Sequence, residues 1–296
     1  MVFNPLNELR ALFSRGEVHA PVFIIGCGRS GTTALGTLLA EHPAVTYLNE
    51  PRDTWARVFP RSDIWSDRAP ARGGRLVLTA GDTDDARGRR LRRLFHAMTV
   101  RSGGPLLVEK LPINTFRLGL IREIFPGARY IHLYRNGLEV ARSIEPLARA
   151  GRWFGAGGYK WDRLVEYADG RPDTRGLPAR CVSPFHRGLL EWRLSTRCAV
   201  DFLDGLPGER FVELSYREFT ADPGGAIVRL AAFLDLDAGP PLVGLAHDRV
   251  SRRAASLDRE PLNEPEREIG GPLLPLSMDG NRSGLVPGRG EDDGNG

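Results

Sequence analysis

The stretch 21–39, PVFIIGCGRSGTTALGTLL, constrains the fold more than any other part of the chain. An apolar run of strand length (21–26) meets a glycine-rich turn. A helical pattern with apolar positions at Leu35, Leu38 and Leu39 then runs over 32–41. A helix that starts directly after such a turn points its free backbone N–H groups, and the positive end of its dipole, at whatever lies beyond the strand. Gly28 and Gly31 let a ligand approach the backbone, and the hydroxyls of Ser30, Thr32 and Thr33 add donors. The stretch predicts an anion site built on a strand–turn–helix unit.

The same alternation continues along the chain. Strand-like runs at 45–49, 105–110, 128–135 and 210–216 alternate with helical patterns near 84–100, 115–125, 137–150, 185–204 and 222–236. Asn114 is placed to cap the second of these helices, and Pro223 falls in the first turn of the last. The alternation predicts an α/β three-layer sandwich with a central parallel sheet covered on both faces. At 296 residues the chain can form one large domain or two small ones. We read 1–276 as a single domain, and the Gly-rich polar stretch 277–296 as a disordered tail. Outside the 84–100 helix, 52–105 reads as irregular. The Gly-, Pro- and Arg-rich stretch 150–183 reads as an extended loop or insertion.

The net charge of +4 suits an anionic ligand without calling for nucleic acid. The run RGRRLRR (87–93) has no interleaved aromatics and reads as a solvated helix face, so no nucleic-acid partner is expected. Only two lysines occur, Lys110 and Lys160, which makes a lysine a more informative cation here than an arginine. Cys27, Cys181 and Cys198 form no C-x-x-C pair and no metal-ligand spacing, as suits a reducing compartment. No run reaches ~18 apolar residues, and the first residues lack the apolar centre of a signal peptide. The sequence therefore predicts no membrane span and a cytoplasmic location, and leaves the oligomeric state open.

What the loop holds follows from what it lacks. Against the phosphate-loop pattern G-x-x-x-x-G-K-[ST], Gly26, Gly31 and Thr33 fall in register, but Thr32 stands where the lysine would reach the β- and γ-phosphates. The strand-like run YIHLYR ends in Arg135, where a nucleoside-triphosphatase has a magnesium-holding Asp. A guanidinium binds phosphate rather than metal, and the carboxyl end of a parallel strand is where open α/β sheets bind ligands. Both features predict an anionic nucleotide held by donors, with Arg29 reaching back over the loop and no metal required.

These residues resemble the sulfotransferases that use 3′-phosphoadenosine-5′-phosphosulfate (PAPS). FIIGCGRSGTTALGTLLAEHPAV is similar to their 5′-phosphosulfate loop, RYIHLYRNGLEVARSI to their 3′-phosphate motif, and LSYREFTADPGGAIVRLAAFLDL to their later tyrosine-and-helix segment. The variety resembled has RSGTT, then His-Pro, then an acidic residue, as in tyrosylprotein and some carbohydrate sulfotransferases. The resemblance implies a P-loop-like sulfotransferase fold and a nucleotide-binding transferase. Glu50 would be the general base. Lys110 would stabilise charge on the bridging oxygen. Arg29 and the loop would hold the 5′-phosphosulfate, Arg135 and Ser143 the 3′-phosphate, and Tyr216 would lie near the nucleotide. Asn49-Glu50 stands where tyrosylprotein enzymes show two adjacent glutamates. The acceptor implied is a hydroxyl on a carbohydrate, lipid or small natural product, recognised by 52–105 and 150–183.

Several of these residues admit a second reading. Glu50 can be a loop carboxylate paired with Arg52 or Arg57, and Glu109 can form a surface ion pair with Lys110. Pro51 predicts an extended Glu50. His132 reads as core, whereas His186 and Trp192 fit either an acceptor cleft or a packed helix. The alternatives to a sulfotransferase are a P-loop small-molecule kinase and a non-catalytic nucleotide-binding protein.

Overall fold

All four residues of β1 (Val22–Ile25) are buried, the pattern of a central strand covered on both faces. The computed structural model describes residues 16–250 and 263–272. Within them β1 lies in the middle of a five-stranded sheet with β2 (Val45–Asn49), β3 (Leu106–Lys110), β4 (Arg129–Tyr134) and β5 (Phe211–Ser215), in the order β2-β3-β1-β4-β5. Every pairing is parallel, so all five strands end on the same edge of the sheet. The disordered-tail expectation for 277–296 lies outside the described residues.

Side-chain alternation along the strands divides the interior into two cores. Val22 and Ile24 of β1, with Ile131 and Leu133 of β4, pack on one face. They meet α1 (Thr32–Leu39) and the later helices α10 (Pro223–Phe233) and α11 (Pro240–Arg249). Phe23, Ile25 and Tyr130 point to the opposite face. There they meet α3 (Asp85–Ser102), α4 (Leu118–Ile124), α5 (Gly137–Arg149) and α8 (Pro184–Leu203). This is the expected three-layer α/β sandwich.

Three local expectations are corrected. Residues 52–105 begin with a helix, α2 (Arg52–Val58), whose Trp55 is fully buried. Within 150–183 the stretch Tyr159–Asp169 is a helix, α6, with Lys160, Leu164 and Ala168 on its buried face, and a short α7 (Leu177–Arg180) follows. The i, i+4, i+8 spacing of that face is a helical signal that the surrounding glycines obscure. Asn114 caps nothing: it lies in a 3₁₀ turn, and its amide donates to Glu109 at 3.1 Å. The helix starts only at Leu118, with Arg117 in the N-cap position, so Asn114 lies three residues too early to cap it. The remaining helices are α9 (Tyr216–Ala221) and α12 (Glu264–Gly270).

Candidate functional site

The turn after β1 is held in a shape that few side chains permit. Gly26 has φ 132°, and a Cβ there would stand 2.3 Å from the Leu133 carbonyl oxygen on β4. Its N–H donates to Thr115 Oγ1 at 3.0 Å. Gly31, at φ 95°, is the N-cap of α1, where a Cβ would strike the Tyr216 ring. No side chain caps α1, so the N–H groups of its first turn are left for a ligand. Ser30 is fully buried, and its Oγ has no hydrogen-bonding partner. A buried hydroxyl of that kind calls for an explanation, and a bound anion supplies one.

The ends of β2 and β3 place two charged groups beside this loop. In a parallel pair Asn49 lies opposite Lys110, so the residue after β2 emerges next to the last residue of β3. Lys110 is 1 % exposed. Its Nζ donates to Thr33 Oγ1 and to Glu50 Oε1, both at 2.8 Å. Glu50 Oε2 accepts from Arg52 at 2.6 Å. Glu109 does not pair with Lys110, because strand alternation turns it to the opposite face. There it is buried, accepts from Trp55 and Asn114, and burial pushes its pKa up to about 8.

Glu50 is not extended as Pro51 predicts. Its φ is 49°, in the left-handed region. The Glu50 N–H still donates to Lys110 O at 2.7 Å, continuing the sheet pairing, and the Arg52 N–H then returns to Glu50 O at 2.7 Å. Pro51, at φ −75° and ψ 56°, is the centre of this inverse γ-turn. Pairing to β3 and a three-residue turn together outweigh the local preference. Among the described residues three non-glycines have positive φ: Arg29 (75°), Glu50 and Asp235. Two of the three sit at this site, a distribution typical of strain kept for function.

Burial alone would raise the Glu50 pKa. The hydrogen bond and charge of Lys110, followed by Arg52, outweigh it and hold the carboxyl below its ordinary 4.5. Burial likewise draws Lys110 below the usual lysine range, with Glu50 opposing it.

A second cationic cluster forms where β4 ends. Arg135 Nε pairs with Glu139 at 2.6 Å, its Nη1 donates to the Arg29 carbonyl at 3.3 Å, and its guanidinium lies 4.3 Å from the centre of the Tyr216 ring. Arg29 Nε donates to Ser143 Oγ at 3.0 Å. Arg29, Arg135, Ser143 and Tyr216 are therefore neighbours although up to 187 positions separate them in sequence. Asn136 starts α5 by accepting from the N–H groups of Leu138 and Glu139, which sets Ser143 on the turn facing the loop. Trp192 is buried, and its indole N–H donates to the Arg135 carbonyl at 3.0 Å. Of its two readings, helix packing holds. His132 is buried and paired with Glu213, as a core residue.

Gly28, Arg29, Thr32, Thr33 and Glu50 line one cavity of about 190 Å³. The wall also includes Trp65, Trp153, Lys160, Glu191 and Ser195, none of which the sequence singles out for a role at the site. Trp153 lies against Gly28, where a Cβ would be 2.7 Å from the indole. His186 is not part of this wall. Among the described residues no group of three or more His, Cys, Asp or Glu is placed to hold a metal, and no helix is long and apolar enough to cross a membrane. The three cysteines are unpaired.

Fold and site define an α/β protein that gathers cationic and N–H donors at the carboxyl edge of a parallel sheet. The chain belongs to the Sulfotransferase family, whose model matches residues 21–240. It is 32% identical over 242 residues to an uncharacterized protein of Aquifex aeolicus, covering 79% of this chain and 28% of that one. It is 29% identical over 155 residues to protein-tyrosine sulfotransferase 1 of Danio rerio, covering 49% and 42%. The chain thus spans under half the length of either relative. Among solved structures, the fold is similar to that of the sulfotransferase domain from the curacin biosynthetic pathway. The TM-score is 0.52 at 16% identity, over 86% of this chain and 97% of that one. Sulfotransferase STF9 from Mycobacterium avium gives 0.52 at 14% identity, over 92% and 77%.

Proposed function

We propose that the chain is a PAPS-dependent O-sulfotransferase that moves a sulfuryl group to a hydroxyl on a carbohydrate, lipid or small natural product. The observation that carries this reading is the hydrogen-bonded series Thr33–Lys110–Glu50 at the lip of the loop. It sets a carboxylate and an ammonium side by side where an acceptor and a leaving group would meet. The residues present fit the donor: the partnerless Ser30 Oγ and the uncapped α1 suit its 5′ end, and Arg135 with Ser143 suits a 3′-phosphate; Arg29, expected at the 5′-phosphosulfate, bonds Ser143 and so joins the 3′ group instead. The donor supplies an activated sulfur; the protein supplies charge and position. We keep 1–276 as one domain, and Arg52, Trp65, Trp153 and Lys160 on the wall of the cavity that Glu50 lines support placing 52–105 and 150–183 on the acceptor side.

In this reading Glu50 takes the acceptor's proton as the acceptor oxygen bonds to sulfur. Lys110 stabilises the bridging oxygen as its bond to sulfur breaks and the electron pair leaves with adenosine 3′,5′-bisphosphate. The two roles are linked. Lys110 holds the Glu50 pKa down in the free protein, so drawing Lys110 toward the leaving group makes Glu50 a stronger base. The pH profiles carry this signature. The acid limb of kcat/KM, which reports the free enzyme, should fall below 4.5, because a depressed carboxylate stays ionised until pH drops through its own pKa. The acid limb of kcat, which reports the bound state, should lie higher. Coincident limbs would contradict the linkage.

Charge on the leaving group grows only in the transition state. Lys110→Ala should therefore lower kcat more than it raises donor KM. A pure KM effect, read from initial rates over a donor series, would assign Lys110 to ground-state binding instead.

Titration calorimetry tests the nucleotide class. Adenosine 3′,5′-bisphosphate should bind far more tightly than AMP or ATP, with or without EDTA. Tight binding of Mg-ATP alone would favour a kinase. Likeness to protein-tyrosine sulfotransferases favours a tyrosyl acceptor as the second reading; transfer to a tyrosine-containing peptide tests it.

A further inference from the structure

Lys160 is the second of the two lysines, and the mechanism above does not use it. It is 4 % exposed, in the first turn of α6. Its Nζ donates to Glu191 Oε1 at 2.6 Å and lies 4.5 Å from the centre of the Trp153 ring. Glu191, on α8, is equally buried, and its Oε2 accepts from the Trp153 indole at 2.7 Å. One helical turn further along α8, Ser195 is 1 % exposed. Apart from the weak thiol of Cys27 beside it, its Oγ has no partner. Lys160, Glu191 and Ser195 all line the cavity that Glu50 lines.

A buried ion pair is weak evidence of stabilisation, since apolar residues of similar volume often serve as well. A buried hydroxyl without a proper partner is a cost with no structural return. Together on the wall of a cavity they make sense as a polar subsite. Ammonium and carboxylate cancel in charge, so the cluster does not select an ion, and Glu191 would repel an anionic group. It offers an acceptor (Glu191), a donor (Lys160) and a group that is both (Ser195). A neutral hydroxyl, itself donor and acceptor, satisfies all three. The indoles of Trp65 and Trp153 supply flat apolar wall beside it.

We propose that Lys160, Glu191 and Ser195 form an acceptor subsite that holds a second hydroxyl of a small polyhydroxylated acceptor while another of its hydroxyls faces Glu50. The proposal rests on the sulfotransferase reading and narrows its acceptor to carbohydrate-like molecules. A site built to bond a hydroxyl rejects analogues that lack it by large factors.

The test measures transfer of labelled sulfate from PAPS to a set of methyl pyranosides, to cyclohexanol and phenol, and to a tyrosine-containing acidic peptide. At least one pyranoside should exceed the single-hydroxyl compounds and the peptide in kcat/KM by roughly 10²-fold or more. Ser195→Ala removes only the hydroxyl. Lys160→Met/Glu191→Gln removes both charges together and leaves a carbonyl to accept from Trp153. Each variant should raise pyranoside KM by about tenfold or more and leave adenosine 3′,5′-bisphosphate Kd within roughly twofold. Preference for phenol, cyclohexanol or the peptide would overturn the proposal. So would an unchanged pyranoside KM, or a bisphosphate Kd that moves in step with it. If the wild type binds the bisphosphate but no pyranoside reacts or gives a saturation-transfer NMR signal, the subsite alone fails. Absence of bisphosphate binding would defeat the sulfotransferase reading itself.

Discussion

Glu50→Gln should lower turnover by roughly 10²–10⁴-fold and leave the affinity for adenosine 3′,5′-bisphosphate nearly unchanged. Glutamine keeps the shape of the side chain, and its carbonyl can still accept from Lys110 Nζ, which now bonds Glu50 Oε1 at 2.8 Å. What it loses is the ability to take a proton. The carboxylate is 30% exposed while its lysine partner is 1% exposed, so the acid is the member of the pair that an acceptor can reach. Its backbone conformation points the same way. A left-handed non-glycine residue costs of order 1–3 kcal/mol, yet the γ-turn at Pro51 holds Glu50 there and turns it toward the loop. Single-turnover measurements on the folded variant check the effect. Near-normal turnover would remove Glu50 from the mechanism and leave it as an ion-pair partner of Arg52.

The second large effect is expected in binding. Arg135→Ala should cost adenosine 3′,5′-bisphosphate at least about tenfold in affinity, since a hydrogen bond to a charged group contributes about 1.5–3 kcal/mol. AMP has nothing to place there and should lose far less. The guanidinium is already oriented. It stacks on Tyr216, it bonds the Arg29 carbonyl, and the strand end that carries it is fixed by Trp192. Little side-chain freedom is then lost on binding. Glu139 is the opposing influence, because its carboxylate must share Arg135 with a phosphate, and Glu139→Gln is a useful companion variant. Calorimetry with both nucleotides separates the outcomes. Equal losses for bisphosphate and AMP would mean that Arg135 supports the loop rather than the 3′ position.

Much of the donor side was legible because its parts are short and local. Gly26 to Thr33 carry their own geometry: the turn glycines, the hydroxyls and the helix start are contiguous. Glu50, Lys110 and Arg135 each follow or end a strand, so once the strands are recognised as parallel, their convergence on one edge follows. Tyr216 and Ser143 came from spacing and resemblance, and the fold brings both beside Arg29 and Arg135. What stayed hidden depends on contacts between elements distant in sequence. The conformation of Glu50 is set by pairing to β3, which the pre-proline preference cannot know. Asn114 reads as a cap because nothing local reveals that 112–116 form a 3₁₀ turn and that the helix begins only at Leu118. Glu191 sits within the run GLLEWRLS, where it reads as one polar residue on a helix. Its meaning appears only when α6 delivers Lys160 to it from a stretch that glycines made look like loop. Lys160 did carry a signal, its rarity, but no pattern assigned it a partner.

Metal-independent sulfuryl transfer is read out by incubating the wild-type protein with PAPS labelled in the sulfuryl group and a panel of hydroxyl compounds, with EDTA present throughout. Labelled sulfate esters should form in equal amount to adenosine 3′,5′-bisphosphate, and Glu50→Gln should abolish both. Bisphosphate binding without ester formation across the panel, or transfer of a phosphoryl group from Mg-ATP to the same acceptors, would contradict the sulfotransferase reading.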